Sequence, residues 1–175
     1  MRQYIRDRTV GGTYFLTFNL LNRQQTLLTD NIDKVRQAYR LTQKHQPFSL
    51  QAMVILPEHI HWLIQLPIND DNYAARVSLF KAAFSGQMAK TEILSQSRMA
   101  KRERGIWQRR FWEHRIRDEH DFKQHMDYIH YNPVKHGYTV TAKDWPFSTF
   151  HYWIEQQLYP QYWGGKIDSL REDIK

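Results

Sequence analysis

Cysteine is absent from the chain. Disulfide staples and thiolate metal or redox sites are thereby excluded, and a reducing compartment is the natural setting. Acidic residues are in the minority: 18 Asp and Glu face 25 Lys and Arg, a net charge of +7 before any of nine histidines is protonated. That balance points to a polyanionic partner, either nucleic acid or an acidic membrane surface. No apolar run reaches membrane-spanning length, and no N-terminal segment has the apolar core of a secretion signal. The expectation is a cytoplasmic protein with no membrane partner. Repeats and low-complexity segments are missing too.

What is present is a core. With 41% hydrophobic residues and 14% aromatics over 175 residues, the chain can bury the interior of one domain, read as residues 1–160 with a polar tail over 161–175. After a basic leader broken at Gly11-Gly12, Thr13 to Leu21 reads as a strand rich in aromatic and β-branched residues. A helix follows from about Asp30 to Lys44, then strands Phe48–Leu56 and His59–Leu66 joined by the turn at Pro57-Glu58. A second helix spans about Asn72 to Ala89, with Tyr73, Val77, Phe80, Ala83 or Phe84, and Met88 at core spacing. Ser95 to Gly105 reads as a charged connection, Trp107 to Arg117 as a fourth strand, and a third helix begins near Asp118. That helix should stop where Pro133 forbids ordinary continuation. A short helix near Phe147–Gln157 completes the order. The expected class is α+β, a ferredoxin-like sandwich: an antiparallel sheet with helices on one face and an extra C-terminal helix and tail.

Four residues carry candidate chemistry. His59 and His61 are two apart on a strand, so both imidazoles leave the same face and can ligate one divalent ion. Asn132 offers a third, uncharged donor, or else a helix C-cap before Pro133. A His-His-Asn set suits Mg²⁺ or Mn²⁺ bridged to phosphate and is a poor structural zinc site. Tyr128, one turn before Asn132, is either a nucleophile or a packed helix tyrosine; Tyr131 and Tyr138 are its rivals. A neutral phenol attacking phosphorus must lose its proton, to water, to the metal or to a nearby base such as His125.

The stretch from Arg98 to Arg117 is dense in arginine and interleaved with rings. Its candidate DNA contacts are Arg102, Arg104, Trp107, Arg109, Arg110, Trp112 and Arg115, joined by Lys135 farther on. Arginines that clamp phosphates beside rings that stack on bases build a nucleic-acid surface. The competing reading is a solvated edge strand whose charge prevents aggregation.

Together these residues resemble the REP-associated tyrosine transposases of the HUH single-tyrosine superfamily. Leu56-Pro57-Glu58-His59-Ile60-His61 resembles the family's histidine–hydrophobe–histidine motif. Asp127-Tyr128-Ile129-His130-Tyr131-Asn132-Pro133-Val134-Lys135-His136-Gly137 is similar to its tyrosine helix. Gly11 to Phe15, Ile106 to Gln108, Arg110 to His114 and Asp144 to Ser148 support the match. The resemblance implies a metal-dependent endonuclease and strand transferase on single-stranded DNA. Tyr128 would be the nucleophile, forming a 5′-phosphotyrosine link, and His59, His61 and Asn132 would hold Mg²⁺ or Mn²⁺. It further implies repeated extragenic palindromes, folded as hairpins, as substrate, a monomer as the acting form and no small-molecule cofactor. Related insertion-sequence enzymes often carry Gln where this chain has Asn132. The other readings are a hairpin-binding protein with a vestigial site, and a phosphodiesterase using metal-bound water.

Overall fold

A computed structural model of the chain describes residues 6–165. Its elements are β1 (Thr13–Asn19), α1 (Leu27–Asp30), α2 (Ile32–His45), β2 (Ser49–Ile55), β3 (His59–Gln65), α3 (Tyr73–Gly86), α4 (Gln96–Ala100), β4 (Trp112–Arg115), α5 (Glu119–Lys135) and α6 (Phe150–Glu155). The four strands form one sheet in the order β2-β3-β1-β4, and all neighbours are antiparallel. This is the expected ferredoxin-like order, with each long βαβ crossover skipping one strand.

Strand alternation sorts side chains onto two faces. Tyr14, Leu16, Phe18, Ile60, Trp62 and Ile64 enter a core beneath α2 and α3, where Trp62 meets Phe18, Phe48 and Phe80 edge-on or tilted. Phe15, Leu63, Ala52 and Val54 turn the other way and meet Met126 and Ile129 of α5 and Phe150 of α6. The α+β class holds, but the helices do not share one face: α5 covers the second. That placement lays the tyrosine helix across the histidine face of β3.

β3 is central and buried up to its last residue, which explains why its sequence is apolar except at the histidines and the exposed Gln65. β2 is an edge strand, sealed by the segment from Trp145 to Trp153. Ile55 N–H donates to Phe147 O, Thr149 N–H to Met53 O, and Trp145 and Trp153 donate their indole N–H groups to Ile55 O and Gln51 O. An edge so covered offers no template for a foreign strand.

Three expectations need correction. β4 is only four residues long, because upstream of it only an isolated bridge, Leu20 to Trp107, links that segment to the sheet. The connection after Ser95 contains the short helix α4, capped by the Ser95 side chain on Arg98 N. And α5 does not stop at Pro133. Proline removes one N–H, the donor for Ile129 O, but its ring is tolerated in this last turn, and the helix ends two residues later, at Lys135, with its stop at Gly137. There Gly137, at φ +74°, gives Gly137 N–H to Val134 O and Tyr138 N–H to Pro133 O, the paired bonds of a Schellman cap. Packing also continues past Pro160: Trp163 lies against Phe150, Tyr159 and Tyr131. The rest of the expected tail, 166–175, lies outside the described residues.

Candidate active site

An open cleft of about 550 Å³ lies between β1, β3, the end of β4 and α5, lined among others by His59, His61, Trp112, His125, Tyr128 and Lys135. Its floor is set by register. Thr17 pairs across the sheet with His61, and Asn19 with His59. Thr17 Oγ1 therefore reaches His61 Nδ1 at 2.6 Å, while Glu58, the residue before His59, places Oε1 2.8 Å from His59 Nδ1.

A carboxylate only accepts, so His59 carries its proton on Nδ1 and turns a lone pair outward at Nε2. The two Nε2 atoms face each other 3.1 Å apart. Ligands about 2.1 Å from a shared octahedral ion stand about 3.0 Å apart along an edge, so the pair has the spacing of two adjacent ligands. Both rings are nearly sealed, 3% and 4% exposed. Burial pushes both imidazoles below their ordinary pKa, His61 further, with the neighbouring His59 adding to the effect. Glu58 would be raised by its own burial, but His59 and Arg23 bring it below the ordinary value. The resulting pair is a neutral imidazole donating to a carboxylate, the arrangement that orients metal-ligating histidines.

Asn132 lies one turn beyond Tyr128 on the same side of α5 and is fully buried. Neither Oδ1 nor Nδ2 finds a hydrogen-bond partner among the described residues. A buried amide with nothing to bond costs about 1–3 kcal/mol, so such a group is normally satisfied by something else. The C-cap alternative falls away, since the helix continues through Asn132 and its cap is His136. The residues present thus fit a divalent ion: two imidazoles fixed from behind and an unpaired amide on the facing helix.

Tyr128 is 38% exposed and opens into the cleft. Its ring stands 5.4 Å from that of His61, edge-on, and Lys135 Nζ lies 4.7 Å over its face. The rivals lie elsewhere. Tyr131 lines a different hollow and packs near Trp163. Tyr138 points its hydroxyl at Glu58 Oε2, 3.4 Å away, and burial together with that carboxylate raises its pKa. His125 reaches Asp121 O through Nδ1 at 2.8 Å, which fixes the proton there and leaves Nε2 as an acceptor.

The basic stretch divides. Trp112 is 61% exposed at the cleft, and Arg102 and Arg110 are exposed. Trp107 is not available to a base: it is buried against Phe18, Phe80 and Phe84, with its indole N–H on Ser85 Oγ. Arg104 is likewise a structural residue, bridging Glu92 and the carbonyls of Ser85, Met88 and Ala89. These two assignments are corrected; sequence density did not distinguish an arginine tying a loop from one facing a ligand. Arg109 pairs with Glu103, and Arg115 with Asp7, both at partly exposed positions. Glu58, Thr17, Arg23 and His136 also belong to the site region and were not singled out. Glu58 was legible as the neighbour of His59, whereas Thr17 emerges only from strand register.

Residues 10–132 match the family described as IS200-like transposases. The chain is 52% identical over 99% of its length to a Haemophilus influenzae protein provisionally named a REP-associated tyrosine transposase, spanning 100% of that protein. It is 41% identical to the Escherichia coli K12 REP-associated tyrosine transposase, covering 97% of this chain and 95% of that one. A solved structure of a REP-associated tyrosine transposase bound to a REP hairpin superposes with a TM-score of 0.81 at 41% identity, over 95% of this chain and 93% of that one.

Proposed function

The chain belongs to the IS200-like transposases, in their REP-associated tyrosine branch, and from that premise we propose that it nicks and rejoins single-stranded DNA at palindromic hairpins through Tyr128. The observation that carries this reading is the meeting of Tyr128 with the paired Nε2 atoms of His59 and His61 at one cleft, and the unpaired Asn132 amide buried one helical turn beyond Tyr128. The related protein bound to a REP hairpin supports a hairpin as substrate.

His59, His61 and Asn132 would hold Mg²⁺ or Mn²⁺. When bound, the ion supplies positive charge at a non-bridging oxygen of the scissile phosphate. Lys135 and Arg23, both lining the cleft, add charge for the phosphates on either side. The Tyr128 phenol oxygen attacks phosphorus and forms a 5′-phosphotyrosine ester. The bond to the 3′ oxygen breaks, and that oxygen leaves as a hydroxyl once protonated. The phenolic proton passes to an acceptor, water or His125 Nε2, and His125 lines the same cleft as Tyr128. Attack by a 3′-hydroxyl on the ester reverses these steps and rejoins the strand. Trp112 offers an exposed face for a flanking base, and Arg102, Arg109, Arg110 and Arg115 extend the positive surface.

All these groups come from one copy of the chain, since α5 packs on its own sheet; this supports action as a monomer. Among the described residues no helix is long and apolar enough to cross a membrane.

The test is covalent capture. A labelled single-stranded hairpin incubated with the protein and Mn²⁺ is expected to become attached, and Tyr128→Phe to abolish the adduct. An adduct persisting in Tyr128→Phe would reject the nucleophile; cleavage without any adduct would favour metal-bound water instead.

A further inference from the structure

Beside the cleft, β4 and the first turns of α5 bring together His114, Asp121 and His125. Their ligand atoms all lie within 4.8 Å of one another. Asp121 and His125 are one helical turn apart, so both leave the same face of α5, and His114 comes from the adjacent strand. The two imidazoles are stacked, 4.7 Å between centroids and 15° between planes. Their edges therefore address one carboxylate: His114 Nε2 is 2.8 Å from Asp121 Oδ2, and His125 Nδ1 is 3.1 Å from Oδ1.

We propose that His114, Asp121 and His125 form a second divalent-cation site, selective for borderline ions of the Zn²⁺ class over Mg²⁺, that pins the start of α5 to β4. Two imidazoles and a carboxylate are the donor set of such ions, and three protein ligands on a partly exposed rim leave positions for water or phosphate. The set differs from His59, His61 and Asn132 in carrying an anionic ligand, which strengthens cation binding without help from substrate. The Phe15 ring lies against both His61 and His125, so the two groups flank one aromatic side chain. Asp121 also accepts from Arg117 N–H, the ordinary duty of an acid in a first helical turn. That duty occupies part of Oδ2 and accounts for neither imidazole. Binding gives up the His125 Nδ1–H bond to Asp121 O. Each neutral ring moves its proton to its other nitrogen, His114 from Nε2 to Nδ1 and His125 from Nδ1 to Nε2, and each freed lone pair meets the ion. With this ion bound, His125 Nε2 no longer accepts and the Tyr128 proton goes to water.

Co²⁺ is the probe, because its visible absorption reports histidine coordination directly. The double variant His59→Ala/His61→Ala, which lacks the imidazole pair of the cleft, is titrated with Co²⁺ in excess Mg²⁺. One equivalent is expected to bind with a ligand-field band, and Zn²⁺ to compete for it and raise the melting temperature. Adding His114→Gln is expected to weaken binding by roughly tenfold or more and to remove the thermal shift. Asp121→Asn should do the same, and His114→Gln keeps the test valid if loss of this first-turn acid prevents folding. Absence of the band in the double variant, or its persistence after His114→Gln, would overturn the proposal. The Tyr128 assignment is tested separately, by adduct formation in Mn²⁺ with His114 and Asp121 intact, so either idea can fail without the other.

Discussion

Glu58 Oε1 stands 2.8 Å from His59 Nδ1, and both groups are buried. The contact fixes which nitrogen of His59 bears the proton and hence which one can ligate. Glu58→Gln keeps the shape and removes the charge, so divalent-ion affinity at the cleft should fall about 10- to 100-fold. Mn²⁺ titration followed by electron paramagnetic resonance measures this. Unchanged affinity would mean that Glu58 serves Arg23 and Tyr138 rather than the imidazole.

Trp107 and Trp112 are five residues apart in sequence and opposite in role. Trp107→Ala removes a buried ring and should cost about 3–5 kcal/mol of stability, read by denaturant unfolding. Trp112→Ala should leave stability within about 0.5 kcal/mol and weaken single-stranded DNA binding by about 1–3 kcal/mol. Equal losses of DNA affinity per folded molecule in both variants would contradict the division.

The two tryptophans also mark how far the sequence can be read. Aromatic, β-branched and apolar runs between turn residues located the strands, and helical spacing the long helices, because apolar side chains must face a core wherever they lie in the chain. His59 and His61 shared a face for the same reason. The sorting of the basic stretch was illegible: whether Arg104 faces a phosphate or the carbonyls of Ser85 and Met88 depends on a loop closure between distant segments. The His114–Asp121–His125 cluster was hidden likewise, since β4 meets α5 only after the sheet forms. Pro133 lies in the last turn, where a proline is tolerated, and Gly137 supplies the stop.

Gly137 holds φ +74° with no heavy atom within 4 Å of where a Cβ would stand. Gly137→Ala meets no clash, so its cost is backbone strain alone, about 1 kcal/mol. A melting-temperature fall of a few degrees is expected. DNA affinity should drop with it, because the cap positions His136 and Lys135 at the cleft. Full stability in this variant would place the end of α5 elsewhere.

His130 gives the fold an acid limit. It is fully buried under α6, where its Nε2–H donates to Thr149 Oγ1 at 2.9 Å. Thr149 in turn joins Met53 of β2, so the imidazole backs the seal on that sheet edge. His130 Nδ1 has no hydrogen-bond partner among the described residues, and burial pushes the pKa down to about 3. A proton added there would be a charge in an apolar site. The unfolded chain takes up that proton near pH 6.5, the folded one only near pH 3. Between those values the unfolded state binds more protons. The stability from neutral His130 is therefore complete above about pH 6.5 and declines as pH falls, by about 1.4 kcal/mol per unit at most. His130→Gln retains a donor for Thr149 and cannot titrate. Melting curves of the two proteins from pH 7 to pH 4 should therefore converge: wild type is the more stable at pH 7, and its advantage shrinks by about 2 kcal/mol by pH 5. Parallel curves would mean that His130 accepts its proton without opening the α6 contact.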